Sequence, residues 1–244
     1  MDYVPELKLG GLKWPHNRLR QKLGLRRADL VISDSNFLAT RIRRLATPRR
    51  LETVYMGVDV DRFAPGGAKE RLVLSVCFSI TRETSVLKGL PTLVDAAVLV
   101  PDAEFVIVGR SGGDGALEEL ARRAPANVSF TRRFVGDDEL LDLYRRASVY
   151  AQVSAHEAFG VAVAEAMACG CIPVAARGSA LQEVAGPVAR DVDYGDAAAT
   201  AAAIGEALAA SESDRAAARA RVVERYPIGR RIERLAELLS PLVG

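Results

Sequence analysis

Residues 148–176 read SVYAQVSAHEAFGVAVAEAMACGCIPVAA. A short apolar run leads into a polar loop with Glu157, and a helical run then begins at Gly160 and ends near Gly170, before a second apolar run. Apolar runs without polar alternation are typical of parallel strands that are covered on both faces. The stretch therefore predicts a strand–helix–strand unit.

The same alternation continues upstream of this unit. Strand-like and helical runs follow one another at 71–78, 90–100, 104–109, 115–124, 127–130 and 137–147. This pattern predicts an α/β fold with βαβ units and a doubly wound, Rossmann-like parallel sheet. Ligands of such sheets bind beyond the carboxyl ends of the strands, so the loops after about residues 79, 109, 131, 153 and 176 are the candidate site region.

Shorter elements precede the alternation. LVIS (30–33) predicts a strand, and either Ser35 or Asn36 can cap the helix that follows. LETVYM (51–56) predicts another strand. Residues 57–70 are rich in glycine, proline and charge, and they form the candidate linker or domain boundary.

The end of the chain is helical in pattern. After Gly195 the alanine-rich sequence predicts a helix that continues to about Arg225. Pro227 is expected to interrupt it, and a last amphipathic helix follows.

Cysteine content and hydropathy limit the class of protein. The three cysteines, Cys77, Cys169 and Cys171, form no even disulfide framework, which favours a reducing compartment. Cys169 and Cys171 lie near no histidine cluster, so buried thiols are expected rather than a zinc site. No apolar run reaches about 18 residues, and residues 1–11 lack the pattern of a signal peptide. We therefore expect a cytoplasmic protein.

Charge is distributed unevenly along the chain. Residues 1–50 contain 12 Lys/Arg and 4 Asp/Glu, and the basic excess is concentrated at 16–27 and 41–50. The pattern fits either a solvated helix face or a surface patch that meets anionic lipid or a phosphorylated acceptor. Aromatic residues are not interleaved with the charge, so nucleic acid is not an expected partner.

Two loops of the candidate region carry distinctive residues. SITRETSVLKGL (79–90) places Arg82 and Lys88 beside a predicted helix start, which fits either a phosphate site or a solvated basic loop. RSGGDG (110–115) lacks the spacing of a dinucleotide-binding fingerprint, and a strand-to-helix turn is expected there.

Glu157 and Glu165 stand out in an otherwise small and apolar segment. On one helix, eight residues would separate them by roughly 12 Å along the axis. This spacing does not favour one shared hydrolytic centre, which needs a closer pair of carboxyl groups. It suits two contacts on an extended ligand, or an ion pair for Glu165 and a helix-dipole partner for Glu157.

HEAFGVAVAEAMACGCIPV (156–174) resembles the E-x7-E segment of retaining GT-B glycosyltransferases, in particular glycosyltransferase family 4. RADLVISDS (27–35) and VYMGVDVDRF (54–63) resemble further segments of that family, and Arg82 with Lys88 and Gly89 resembles its phosphate loop. The resemblance covers roughly residues 27–225. It implies a GT-B donor domain at 57–228, preceded by part of an acceptor domain at 1–56 and followed by a C-terminal helix at 229–244 that packs back toward the N-terminal part.

The resemblance also implies the roles of the site residues. Arg82 and Lys88 would bind the donor pyrophosphate and stabilise the leaving phosphate, while Glu157 would contact hydroxyls of the transferred sugar. Glu165 would accept hydrogen bonds from the ribose of the nucleotide. The remaining expected donor-binding residues are Gly109, the backbone of Phe159, Gly160 and Val161 at the phosphates, and the backbone from Arg133 to Val135 at the base.

The activity so implied is hexosyl transfer, with retention, from a nucleotide-diphosphate sugar to an acceptor hydroxyl. The acceptor would be a carbohydrate or a lipid-linked molecule, and neither a metal nor another cofactor is expected. Peripheral attachment to the cytoplasmic face of anionic membranes through residues 16–50 is a further expectation.

The chain departs from the family pattern in several places. The family's glycine-rich N-terminal loop and its histidine have no counterpart here, since His16 is expected at the surface and His156 in a loop. Cys77 stands where the family has glycine. Two alternatives stay open: a non-catalytic nucleotide-sugar-binding or scaffold subunit that needs a partner chain for activity, and a sugar-nucleotide epimerase of related GT-B fold.

Overall fold

The computed structural model describes Val4, Leu7, Leu9 and residues 14–243, the last of these without its side chain. The start of the chain, where no signal peptide is expected, lies largely outside the described residues.

The N-terminal elements form a small unit of their own. Its helices and strands are α1 (Pro15–Arg27), β1 (Val31–Ser33), α2 (Asn36–Leu45) and β2 (Leu51–Thr53). β1 and β2 pair in parallel, with Val31 opposite Leu51. The predicted strand at 51–56 is therefore only three residues long, because Val54 to Met56 leave the strand and carry the chain toward the main sheet.

The larger sheet contains six parallel strands in the order β5-β4-β3-β6-β7-β8. This sheet confirms the α/β, doubly wound fold that the alternation of runs predicts. Its strands are β3 (Glu70–Ile80), β4 (Glu104–Ser111), β5 (Val128–Arg132), β6 (Ala147–Gln152), β7 (Ile172–Ala176) and β8 (Arg190–Val192).

Helices connect these strands and cover them. They are α3 (Arg82–Leu87), α4 (Leu90–Val98), α5 (Ala116–Arg123), α6 (Asp137–Arg146), α7 (Val161–Ala168), α8 (Leu181–Ala185), α9 (Ala197–Leu208), α10 (Glu212–Arg225) and α11 (Ile228–Val243). α4 packs against α9, and α7 packs against α10. Every residue of β6 and β7 is buried, as expected for central strands that are covered on both faces.

Helix ends follow local sequence signals. α7 begins after Gly160, which has a φ of 96°, and ends before Gly170, which has a φ of 83°. Both glycines were predicted to bound this helix, and both predictions are confirmed. Ser35, not Asn36, caps α2, because its side chain accepts a hydrogen bond from the Leu38 amide.

The prediction of one helix from Gly195 to about Arg225 is wrong. The structure contains two helices there, with a break at residues 209–211. Ser211 starts the second helix with a capping box, in which it exchanges hydrogen bonds with Asp214. This cap gives the backbone a favourable place to start a new helix, although alanine would allow the first helix to continue.

The segment 57–70, predicted to be a linker, lies against the C-terminal helices. Val58 is buried and exchanges backbone hydrogen bonds with Tyr226 and Ile228. The Arg219 guanidinium donates to the carbonyls of Phe63 and Val60 at 2.9 and 3.1 Å. The segment is therefore fixed by specific contacts.

The strand order creates one crevice of interest. From β3 the chain proceeds to β4 and β5 on one side, and then returns to place β6 on the other side of β3. The carboxyl ends of β3 and β6 thus border the topological switch point, which is where open α/β sheets bind their ligands.

Candidate functional site

Two loops meet at the switch point. Lys88 follows α3, in the loop after β3, and Glu157 lies in the loop after β6. The Lys88 ammonium donates to Glu157 Oε1 at 2.6 Å, and the two side chains are 33% and 14% exposed. Two residues that the sequence placed in different loops therefore form one ion pair.

Gly89 allows these loops to approach each other. It has a φ of 67°, and a Cβ at this position would collide with the carbonyl oxygen of Val153. The Ala155 amide donates to the carbonyl of Leu87 at 2.8 Å, which ties the second loop to the end of α3. A side chain at residue 89 would therefore separate Lys88 from Glu157.

Further contacts fix the loop that carries Glu157. Ser35 Oγ donates to the Ala158 carbonyl at 2.6 Å, and the Ala180 amide donates to the Glu157 carbonyl at 3.2 Å. Gln152 Nε2 donates to Glu157 Oε1 at 2.8 Å. The sequence interpretation missed Gln152, although an amide among the apolar residues of a predicted strand was a visible signal.

The N-terminus of α7 faces the same crevice. Gly160 adopts its left-handed conformation at the N-cap, and a Cβ there would lie 2.6 Å from Leu181 Cδ2. The amide of Val161 lies in the first turn, where the helix itself supplies no acceptor, so it adds positive potential four residues after Glu157. Phe159 is buried and its ring packs against those of Tyr55 and Tyr226, so its side chain anchors the loop.

Glu165 is separate from the ion pair. It lies inside α7, and Tyr144 donates to its Oε2 at 3.0 Å. Burial raises the pKa of the Glu165 carboxyl, and the nearby Asp137 raises it further. The two glutamates therefore have different partners, as the sequence spacing suggested.

Arg82 lies apart from Lys88. It is the first residue of α3, its side chain is exposed, and its amide donates to Asp114 Oδ2 at 2.8 Å. A cavity of about 290 Å³ adjoins Arg82 between α3 and α5 and includes Arg123. A different cavity, of about 240 Å³, adjoins the ion pair and includes Thr84, Leu87, Lys88, His156, Glu157 and Ala158.

The other predicted residues line the neighbouring strands. Gly109 lies within β4, where a Cβ would collide with the Cys77 carbonyl oxygen at an irregularity of β3. Arg133 is exposed and pairs with Glu139, with Nη1 2.8 Å from Oε2, and Val135 is buried. Gly109 in β4, and Arg133 and Val135 after β5, lie on the same side of the switch point as β3.

The described residues contain free thiols but no cluster of metal-ligating side chains. Within the residues that the structure describes, no cluster of three His, Cys, Asp or Glu side chains could hold a metal ion. All three cysteines are buried as free thiols. Burial raises the pKa of Cys77 and Cys171, and it raises the pKa of Cys169 to about 12, so none is activated as a thiolate.

Solved structures define the class of fold. Sucrose-phosphate synthase from Thermosynechococcus elongatus superimposes with a TM-score of 0.82 at 23% identity, over 99% of this chain and 64% of that one. Anabaena HepE, solved with UDP and glucose, superimposes with a TM-score of 0.83 at 21% identity, over 93% of this chain and 68% of that one. The fold is therefore that of the GT-B glycosyltransferases, as predicted.

Sequence comparisons identify the family. The model of the family described as "Glycosyl transferases group 1" matches residues 75–210, and the chain belongs to this family. D-inositol 3-phosphate glycosyltransferase of Mycolicibacterium vanbaalenii is 30% identical over 207 residues, which are 72% of this chain and 45% of that protein. MMP alpha-(1->4)-mannosyltransferase of Mycolicibacterium hassiacum is 32% identical over 145 residues, which are 58% of this chain and 34% of that protein. The chain thus spans less than half the length of these curated relatives.

Proposed function

We propose that this chain supplies the donor site of a retaining glycosyltransferase of family 4, which transfers a hexosyl group from a nucleotide-diphosphate sugar to an acceptor hydroxyl. The observation that carries the proposal is the Lys88–Glu157 pair at the switch point, next to the N-terminus of α7. Such a site offers a cation and helix amides to a diphosphate, and a carboxylate to sugar hydroxyls.

The proposed reaction is a single transfer step in which the cations and helix amides of the site act on the leaving diphosphate. The bond between the anomeric carbon and the diphosphate breaks, and a bond to the acceptor oxygen forms on the same face of the sugar, while the proton of the acceptor hydroxyl passes to an oxygen of the leaving diphosphate. Lys88 and the α7 amides stabilise the negative charge that develops on the leaving diphosphate, and Arg82, which is exposed, turns toward it. The scheme includes no metal, and these groups offset part of the charge.

The remaining contacts position the donor. Glu157 accepts hydrogen bonds from the sugar and Glu165 from the ribose, while Gly109 and the backbone from Arg133 to Val135 border the base. The names of the relatives support a glycosyltransferase, and HepE was also solved with UDP-glucose. Donors with different sugars and bases are therefore compared in the binding experiment.

Calorimetry tests the proposal directly. UDP-glucose, GDP-mannose and ADP-glucose are titrated into the full chain, and one of them is expected to bind. The substitutions Lys88→Ala, Arg82→Ala and Glu165→Ala should each weaken that binding by about tenfold or more, the size of one charge-assisted hydrogen bond. Absence of binding by all three donors at millimolar concentration would contradict the proposal.

A second candidate function is a donor-binding subunit that needs a partner chain. One observation favours it: α11 carries apolar side chains at the exposed positions Ile228, Ile232, Leu239 and Leu242. Their spacing of four, seven and three residues places them on one stripe, which fits a helix of another polypeptide that supplies the acceptor domain. Turnover of the donor by this chain alone would reject this alternative, and turnover only with a partner would support it.

We also propose that the protein acts at the cytoplasmic face of a membrane. α1 has no buried residues and combines basic side chains with exposed Leu19 and Leu23, and the exposed Trp14 immediately precedes it. In the part of the chain that the structure describes, none of the helices is both long and apolar enough to cross a bilayer. Binding to anionic vesicles that weakens with salt would support peripheral attachment, and no flotation at low salt would contradict it.

A further inference from the structure

A chain of buried polar groups leads to Glu157 from inside the sheet. Tyr150 OH donates to Gln152 Oε1 at 2.9 Å. Gln152 Nε2 in turn donates to Ser154 Oγ at 2.6 Å and to Glu157 Oε1 at 2.8 Å. Tyr150, Gln152 and Ser154 are 0%, 4% and 0% exposed, so water does not compete for these hydrogen bonds.

The chemistry of the neighbours fixes the orientation of the Gln152 amide. An ionised carboxylate only accepts hydrogen bonds, so the NH2 group of Gln152 must face Glu157. The amide oxygen then faces Tyr150, which must donate. Burial raises the pKa of Tyr150 well above its ordinary value, so the hydroxyl retains the proton that it donates.

Leucine, methionine and glutamate would each fit this position less well than glutamine. Leucine or methionine would leave the buried Tyr150 hydroxyl without its acceptor, at a cost, and would release Glu157 Oε1. Glutamate would place a second carboxylate next to Glu157, and two such groups resist joint ionisation. An amide that donates on one side and accepts on the other satisfies both neighbours.

We propose that Gln152 is a positioning residue for the sugar end of the donor. Together with Lys88 it holds Glu157 Oε1, so that Oε2 is directed to the adjoining cavity as the acceptor for a sugar hydroxyl. Within the described part of the chain, Oε2 accepts no hydrogen bond from the protein. The inference rests on the proposed function, because Gln152 acts only through Glu157.

The test compares a sugar nucleotide with the same nucleoside diphosphate without its sugar. Calorimetry of the full chain is performed with UDP-glucose against UDP, and with GDP-mannose against GDP. Gln152→Met should weaken binding of the sugar nucleotide by about tenfold, the equivalent of one positioned hydrogen bond, and binding of the diphosphate by less than about twofold. Equal losses for both ligands, or no loss for either, would overturn the inference.

A matched control removes a different buried hydrogen bond from the same strand. Ser148 Oγ donates to the Glu70 carbonyl at the opposite end of β6, away from the switch point. Ser148→Ala should leave both affinities unchanged. If Ser148→Ala also loses affinity for the sugar nucleotide, the effect of Gln152→Met is a general loosening of the strand. That result would overturn the inference.

A second variant, Gln152→Glu, should show a pH dependence of binding that loss of packing cannot produce. In Gln152→Glu the new carboxyl group can donate to Glu157 only when it is protonated. Compared with the same ratio in the parent chain, affinity for the sugar nucleotide relative to the diphosphate should therefore recover as the pH is lowered from about 8 to about 5.5, a range in which a buried carboxyl group next to another carboxylate becomes protonated. A ratio that changes with pH only as it does in the parent chain would overturn the inference.

A ligand-free measurement separates this inference from the proposed function. A double-mutant cycle of Gln152→Met and Glu157→Gln in urea unfolding should show coupling of about tenfold in the unfolding equilibrium. Additive effects would overturn the positioning role, whether or not a donor binds. Coupling without any donor binding would support the contact between the residues and contradict the proposed function instead.

Discussion

Lys88 and Glu157 are 69 residues apart in the chain, and their side chains meet at 2.6 Å across the switch point of the sheet. Neither residue lies in a long helix or strand. Lys88 directly follows the six-residue helix α3, and Glu157 lies in a loop. The close contact of Gly89 with Val153 and the strand order bring them together. The energy of this ion pair therefore depends on the relative position of the two loops.

The first prediction concerns the energetic coupling of this pair. Lys88→Met should lower the free energy of unfolding by about 1–2 kcal/mol, because it leaves a largely buried carboxylate without its cation. Combining it with Glu157→Gln should recover part of that loss, since the unpaired charge is then absent. Urea unfolding of the single and double variants measures the effect.

An exposed ion pair provides the control. Arg49 and Asp29 lie 2.9 Å apart, but their side chains are 68% and 74% exposed. Arg49→Met should change stability by no more than about 0.5 kcal/mol, as is usual for a surface pair. Equal effects at Arg49 and Lys88 would contradict the role assigned to burial.

The second prediction compares glycine-to-alanine substitutions at three positions, in order to separate the cost of a left-handed backbone from the cost of a close side-chain contact. Gly160→Ala should cost about 2–4 kcal/mol, because it combines a left-handed φ with a close contact to Leu181. Gly113 has a φ of 81° but nothing within 4 Å of its Cβ position, so alanine there should cost about 1–2 kcal/mol. Gly24 lies in α1 with open space around it, and alanine should stabilise by about 0.5–1 kcal/mol. Thermal unfolding measures the order, and a Gly160→Ala cost equal to that of Gly113→Ala would contradict the close contact.

Sequence patterns predicted the helices and strands of the sheet better than its contacts. Gly160 and Gly170 predict the ends of α7 because the conformational freedom of glycine is a local property. The meeting of Lys88 with Glu157 depends on β6 lying beside β3, and an alternation of runs does not determine strand order. Gln152 was missed for a different reason: its partners Tyr150, Ser154 and Glu157 lie within five residues of it, but spacing alone does not show that these side chains meet.

In the N-terminal unit, too, the sequence predicts local contacts but not distant ones. Ser35 is a recognisable cap for α2, because the Leu38 amide lies three residues away. Glu183, however, caps the same helix from 147 residues further along the chain, with its Oε1 3.0 Å from the Asn36 amide. No local pattern indicates such a contact.

The third prediction concerns this distant cap. Glu183 also accepts from the Phe37 amide at 2.9 Å and from Tyr55 OH at 2.6 Å. Glu183→Ala should cost about 1–2 kcal/mol of stability, because two helix amides and a partly buried hydroxyl lose their acceptor. Urea unfolding measures the loss, and a change below about 0.5 kcal/mol would contradict the cap.

The ionisation of Tyr55 provides an independent measurement of the same contact. Burial and then the hydrogen bond to Glu183 raise the pKa of Tyr55 to about 12. Glu183→Ala should lower this pKa, while burial keeps it above the ordinary value. Phenolate absorbance of the variant, compared with Tyr55→Phe to assign the signal, checks the shift.

The last prediction concerns the pH dependence that Glu165 confers. Burial raises the pKa of this carboxyl above its ordinary value of 4.5, so the folded state binds the proton more tightly than the unfolded state. The contribution of Glu165 to stability is therefore full below the ordinary pKa and is lost as the pH rises through the raised pKa. Glu165→Gln keeps an acceptor for Tyr144 without the charge, so it should be more stable than the parent chain at pH 7 and nearly equal to it at pH 4. Under the proposed function the same variant binds nucleotide more weakly.

Glu139 supplies a control of opposite sign. The hydrogen bond from Arg133 lowers the pKa of the Glu139 carboxyl, so its contribution is present above the ordinary pKa and is lost as the pH falls through the lowered pKa. Glu139→Gln should therefore reduce the loss of stability toward acid, whereas Glu165→Gln should reduce the loss toward neutral pH. Urea unfolding from pH 3 to pH 8 distinguishes the two slopes, and parallel curves for both variants would contradict the raised pKa of Glu165.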